Sequence, residues 1–86
     1  MSFHDATLEF DYERASVARI VAESVAREVG EIDDERSRTE IQRDGETVRL
    51  EVDAEDVVAL RAALNTWFSL VDVAERTADV GSRTLE

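Results

Sequence analysis

Apolar and polar residues alternate from Ala6 to Tyr12, with Ala6, Leu8, Phe10 and Tyr12 on one side and Thr7, Glu9 and Asp11 on the other. A period of two marks a half-buried strand. From Glu13 to Val29 the period turns helical, and Val17, Ile20, Val21, Ser24, Val25 and Val29 form one stripe. Gly30 stands where a helix C-cap favours a residue tolerant of positive φ, and Glu31 to Glu35 reads as a polar loop. Two further alternating segments follow, Arg36 to Arg43 and Thr47 to Val52, separated by Arg43-Asp44-Gly45-Glu46. Asp-Gly between alternating runs predicts a type I′ hairpin, because both central residues of that turn need positive φ. Asp53 is the expected N-cap of a last helix from Ala54 to about Ala78, with Glu55 and Asp56 complementing its dipole.

The order is therefore β-α-β-β-α. Pairing the first strand beside the third makes the sheet fully antiparallel, places apolar Val48-Leu50-Val52 at its centre and sets both helices on one face. The expected fold is α+β, a two-layer domain over residues 6–78 with a three-stranded antiparallel sheet, and Asp79 to Glu86 is expected to be a loose end.

That last helix is too long for its sheet. At 1.5 Å per residue it spans roughly 37 Å, whereas a strand of about seven residues covers roughly 23 Å. Its expected core stripe is Val57, Leu60, Leu64, Trp67, Phe68, Val71 and Ala78. Beside it runs a second stripe, Ala59, Ala63, Leu70, Val73 and Ala74, and the first helix carries a matching row of small residues, Ala15, Ala18, Ala22 and Ala26. The alanine flanks suit either each other or a neighbouring helix. Leu70 and Val73 point to a partner, since large apolar groups beyond the sheet need cover.

Length and composition narrow the choice of function. A chain of 86 residues builds one modest core, which favours oligomerisation. All ten positive charges are arginine, against 21 Asp and Glu spread along the chain, for a net charge of -11. This balance disfavours a free-standing nucleic-acid or anionic-membrane binder and fits a cytoplasmic protein adapted to high salt. Cysteine is absent, no apolar leader follows a basic start, and the longest uncharged run, Ala62 to Val71, is too short to cross a bilayer.

Catalytic chemistry has little to work with. His4, the one histidine, stands in the first few residues, where disorder is expected, so nucleophile-and-base constellations cannot be assembled. No glycine pattern cradles a phosphate, and Asp33-Asp34-Glu35 lacks the glycine and spacing of a calcium loop. No cofactor or metal is expected. Arg36, Arg38 and Arg49 are candidates for phosphate contact, although cross-strand pairing with Glu9, Glu40 and Glu51 explains Arg38 and Arg49 more simply.

Asp34-Glu35-Arg36-Ser37-Arg38-Thr39-Glu40-Ile41 and Val58-Ala59-Leu60-Arg61-Ala62-Ala63-Leu64-Asn65-Thr66-Trp67, set across a hairpin, are similar to one family. Over Thr7 to Ala78 the chain resembles the small dimerisation subunit of the archaeal KEOPS complex, the CTAG/Pcc family. The resemblance implies a complex that installs threonylcarbamoyl on adenosine 37 of tRNAs reading codons that begin with A. It implies a subunit that does no chemistry, pairs with itself and bundles its helices with those of the metal-dependent catalytic transferase subunit. Arg61 and Asn65 match the family's motif, and periodicity adds Ala18, Ala22, Leu70 and Val73 as partner-binding residues. The resemblance makes Arg36, Arg38 and Arg49 candidates for tRNA or dimer contact, although the lysine-free acidity makes tRNA contact at most indirect and suggests a salt-loving archaeon. The alternatives are a small KH-like RNA-binding module, which requires a Gly-x-x-Gly clamp and a basic groove, and a ligand-binding regulatory domain, which requires a convergent polar pocket.

Overall fold

The computed structural model describes residues 4–32 and 35–85. Strand β1 spans His4–Asp11, helix α1 Ala15–Ala26, the short helix α2 Val29–Ile32, strand β2 Ser37–Asp44, strand β3 Thr47–Ala54 and helix α3 Val57–Leu85. The sheet order is β1-β3-β2 and both pairings are antiparallel, so the α+β arrangement expected from the alternating segments is present. His4 belongs to β1, opposite Ala54, and is not a loose leader.

β3 is central because its inward side chains are all apolar: Val48, Leu50, Val52 and Ala54 are buried. Val21 and Val25 of α1 and Trp67, Val71, Ala74 and Ala78 of α3 close over them. Trp67 is wholly enclosed, and its indole Nε1 donates to Thr39 Oγ1 of β2 at 2.9 Å. That bond ties the far edge of the sheet to α3. At the other edge, Tyr12 buries its hydroxyl without a well-formed hydrogen bond. Burial first, and the neighbouring Glu75 carboxylate second, push that phenol well above its usual range.

Local signals fail at four places. The hairpin loop is Gly45-Glu46, not Asp44-Gly45, because Asp44 pairs with Thr47. Of the two loop residues Gly45 alone has positive φ (62°), which suits a type II′ turn with glycine first. Gly30 is not a positive-φ cap: α1 ends at Ala26, and turns closed by Glu28 N–H to Val25 O and Glu31 N–H to Glu28 O carry the chain through α2. This tightening keeps Val29 against the core.

Asp53 lies inside β3, opposite Arg38, and the cap of α3 is Asp56 instead. Asp56 Oδ1 accepts the Ala59 N–H at 2.7 Å, and its carboxylate receives Arg36 Nη2 at 2.8 Å. Those contacts, the Ala59 N–H before the Arg36 guanidinium, hold its pKa below the usual 3.8. A depressed folded-state pKa contributes stability above the unfolded value and loses it as pH falls through the folded one. Asp56→Ala is therefore expected to lower Tm by about 5 °C near neutral pH. Thermal melts should show the gap to the parent closing progressively below about pH 4.

The fourth difference is the phase of α3. Its inward stripe is Ala59, Ala63, Trp67, Val71, Ala74 and Ala78, while Val57 and Phe68, expected in the core, are 43% and 51% exposed. The small side chains, rather than the large ones, turn inward: alanines let α3 lie close to α1 and the sheet, and one indole fills the remaining space. α3 also continues to Leu85, past Ala78, giving a helix of 29 residues, about 43 Å long, along the 46 Å axis of the molecule.

Candidate protein-protein interface

The two layers present very different surfaces to solvent. The open face of the sheet has Asp5, Glu9, Asp11, Glu40, Asp44, Glu51 and Asp53 against two arginines, Arg38 and Arg49. Arg49 Nη2 pairs with Glu9 across the β1-β3 ladder at 2.9 Å, and Thr47 Oγ1 donates to Asp11 at 2.6 Å. Asp5 faces Asp53 and Glu40 faces Glu51 directly, an arrangement of like charges that costs stability in dilute buffer. A polyanion has no footing on this face.

The outer face of α3 is the reverse. Between Val57 and Ala78, its exposed positions include Val57, Val58, Arg61, Ala62, Asn65, Phe68, Val73 and Arg76. Asp72 is the one exposed acid among the described residues there, and it is bound to Arg76 at 2.7 Å. In a chain with 21 carboxylates, one helix face is kept apolar and close to neutral. Val58 and Val73 are 70% and 56% exposed, far more than packing within the chain would leave. Phe68 is steadied by an edge-to-face contact with Phe10, with ring centroids 6.4 Å apart.

The residues expected at a partner surface divide accordingly. Val73, Arg61 and Asn65 lie on the exposed face of α3. Leu70 is half-buried against the core, and Ala22 is half-buried on α1. Ala18 is fully enclosed, so its side chain serves packing inside the chain. Phe68, expected in the core, and Val58 lie on the same exposed face, which the charge gap along α3 marks. Arg36 is engaged by Asp56 and, at 3.5 Å, Glu55, so two of the three candidate arginines hold ion pairs within the chain. Arg38 stands opposite Asp53.

The surface depressions at the described residues are open to solvent. One depression, about 470 Å³, lies where Arg36 and Arg38 meet Asp53 and Glu55. Among the described residues, no three carboxylates or histidines come together to hold a metal ion, and Asp33 and Asp34 lie outside them. Nor is there a Gly-x-x-Gly clamp of the KH kind in the sequence.

A family model described as "Transcription factor Pcc1" matches residues 5–79. The chain belongs to the Pcc1 family. Pcc1 is a non-catalytic subunit of the KEOPS complex, which acts in the threonylcarbamoyladenosine modification of tRNA. The fold agrees: the chain is similar to one in the crystal structure of the binary complex Gon7-Pcc1, with a TM-score of 0.61 over 100% of both chains at 14% identity. No curated protein matches the chain significantly by sequence.

Proposed function

We propose that this Pcc1-family chain acts as an assembly piece that joins catalytic subunits, offering the outer face of α3 and the adjoining flank of α1 to the catalytic transferase subunit while pairing with a second copy elsewhere. The observation that carries this reading is the apolar, nearly neutral face of α3 in a chain whose net charge is -11. Unpaired carboxylates at a helix-helix interface would be desolvated at a cost, and this is the surface from which they are missing. Val73, Leu70 and Ala22 supply the apolar contact, and Arg61 and Asn65 the polar rim. The tRNA is reached through the partner, since this subunit has no basic footprint of its own.

By length and composition Val57–Ala78 could cross a membrane, at a mean hydropathy of 1.4. Its Trp67, Val71 and alanine stripe face the sheet and α1, which supports the core helix of a cytoplasmic protein instead. Mixing the purified chain with the transferase subunit in about 2 M salt should give a co-eluting complex with both proteins in it. Separate elution at micromolar concentrations would overturn the partner assignment.

The acidity supports a salt-loving archaeal host. Raising sodium chloride from about 0.1 M to about 2 M should raise Tm by about 5–10 °C, because the opposed pairs Asp5/Asp53 and Glu40/Glu51 are then screened. Glu51→Gln removes one carboxylate from the Glu40 pair, and should raise Tm in dilute buffer and shrink the salt response. An unchanged response in that variant would show that ordinary salting-out is the cause.

A further inference from the structure

We infer that the free edge of β1 receives an extended segment of another protein, added antiparallel as a fourth strand, whose side chains alternate between basic and apolar. The order β1-β3-β2 leaves that edge open over the eight residues His4–Asp11, with no proline, lysine or bulge to blunt it. Its backbone is set for pairing. Tyr12 N–H donates to Glu46 O at 3.0 Å, and the ladder alternates from there, so even-numbered residues of β1 bond to β3. Asp5, Thr7, Glu9 and Asp11 therefore turn their N–H and C=O groups away from the sheet, as a row of donors and acceptors for one more strand.

The two sides of this edge differ in chemistry. On the open face stand the exposed side chains of the same four residues, three of them carboxylates. Arg49 already serves Glu9. Asp5 instead faces Asp53, whose other neighbour across the sheet is Arg38, and Asp11 shares its row with Thr47 and Asp44, so both ends of the edge carry surplus negative charge. On the helix side Leu8 and Phe10 are only half-buried, and the exposed ring of Phe68 meets Phe10 edge to face. A strand laid here meets carboxylates with every second side chain and apolar groups with those between. Phe68 is the β1 border of the outer face of α3, about 140° of helix rotation from Val73 at 3.6 residues per turn, so the added strand leaves Val73 free.

Charge rules out a second copy as the occupant of this edge. Antiparallel self-pairing about Thr7 sets Asp5 against Glu9, pairing about Leu8 sets Asp5 against Asp11, and pairing about Glu9 sets that carboxylate against its own equivalent. Arginine or lysine at the same positions of a different chain turns each of these contacts from repulsive to attractive.

Fluorescence anisotropy of the full chain with a labelled synthetic peptide, Arg-Val-Arg-Val-Arg-Val-Arg, provides the test. This peptide should bind with a dissociation constant below about 100 µM at about 0.1 M salt, and the block order Arg-Arg-Arg-Arg-Val-Val-Val, equal in charge and composition, about tenfold more weakly. In the antiparallel strand the peptide's arginines lie opposite the odd-numbered residues and give their N–H groups to β1. N-methylation of the arginines should therefore abolish binding, and N-methylation of the valines should leave it. Thr7→Pro removes one outward N–H, keeps the net charge and spares the bonds to β3, so it should weaken binding about tenfold in a chain that circular dichroism shows to be folded. Absence of saturable binding, or equal binding of the two peptide orders, would overturn the added strand. Loss of binding on methylation of the valines in place of the arginines would overturn the β1 edge, and this comparison holds even if Thr7→Pro fails to fold.

Discussion

Trp67→Ala should come close to unfolding this domain. The side chain is fully enclosed, at the centre of the one cluster that joins α1, α3 and β3, and truncating a buried aromatic of this size costs about 3–5 kcal/mol. A chain of 86 residues has on the order of 4–13 kcal/mol of stability in total, so the variant is left with little. Part of the loss is polar. Thr39 Oγ1 is buried and accepts the indole N–H, and removal of the donor takes that bond away. Trp67→Phe separates the contributions by keeping most of the volume while dropping the bond, and should cost about 1–2 kcal/mol. Urea titration followed by circular dichroism would read both. A loss of less than about 1 kcal/mol for the alanine variant would mean that α3 is held to the sheet by something other than this indole.

The same residue shows where the sequence was easy to interpret and where it was not. The alternation in Ala6 to Tyr12 and Thr47 to Val52 was decisive, because a strand with one buried face must repeat every two residues; both segments pair as expected. Helix phase was harder. α3 carries apolar residues around more than half its circumference, so periodicity alone allowed two stripes, and the larger side chains made the wrong one look like the core. Alanines at 59, 63, 74 and 78 face inward because a close approach to α1 is worth more than the extra area of Val57 or Phe68. Cap residues were misplaced for a related reason: Asp53 and Asp56 both qualify chemically, and only the extent of β3, set by pairing with β1 and β2, decides between them. Charge supplied what hydrophobicity could not. The lack of exposed acid along α3 is visible in the sequence once the phase of the helix is known, and it marks Phe68 and Val58 alongside Val73.

Val73→Asp should abolish capture of the transferase subunit without harming the fold. The side chain is 56% exposed, so the substitution removes little buried area in the isolated chain and its Tm should stay within about 2 °C. In the complex the new carboxylate would be desolvated in an apolar helix-helix contact, at a cost of several kcal/mol and therefore a hundredfold or greater loss of affinity at about 1.4 kcal/mol per tenfold. Leu70→Asp is the less clean probe: Leu70 packs against the core as well, so a loss of binding there mixes interface with stability. Glu51→Gln, on the opposite face, serves as the control and should bind as the parent does. Size-exclusion chromatography of each variant mixed with the transferase subunit reads the result directly. If Val73→Asp still co-elutes, the outer face of α3 is not the docking surface, and its valines and Phe68 need some other cover. If instead it fails to bind while the chain still pairs with a second copy, the partner contact and the self-contact are independent, as joining two catalytic subunits through one small dimer requires.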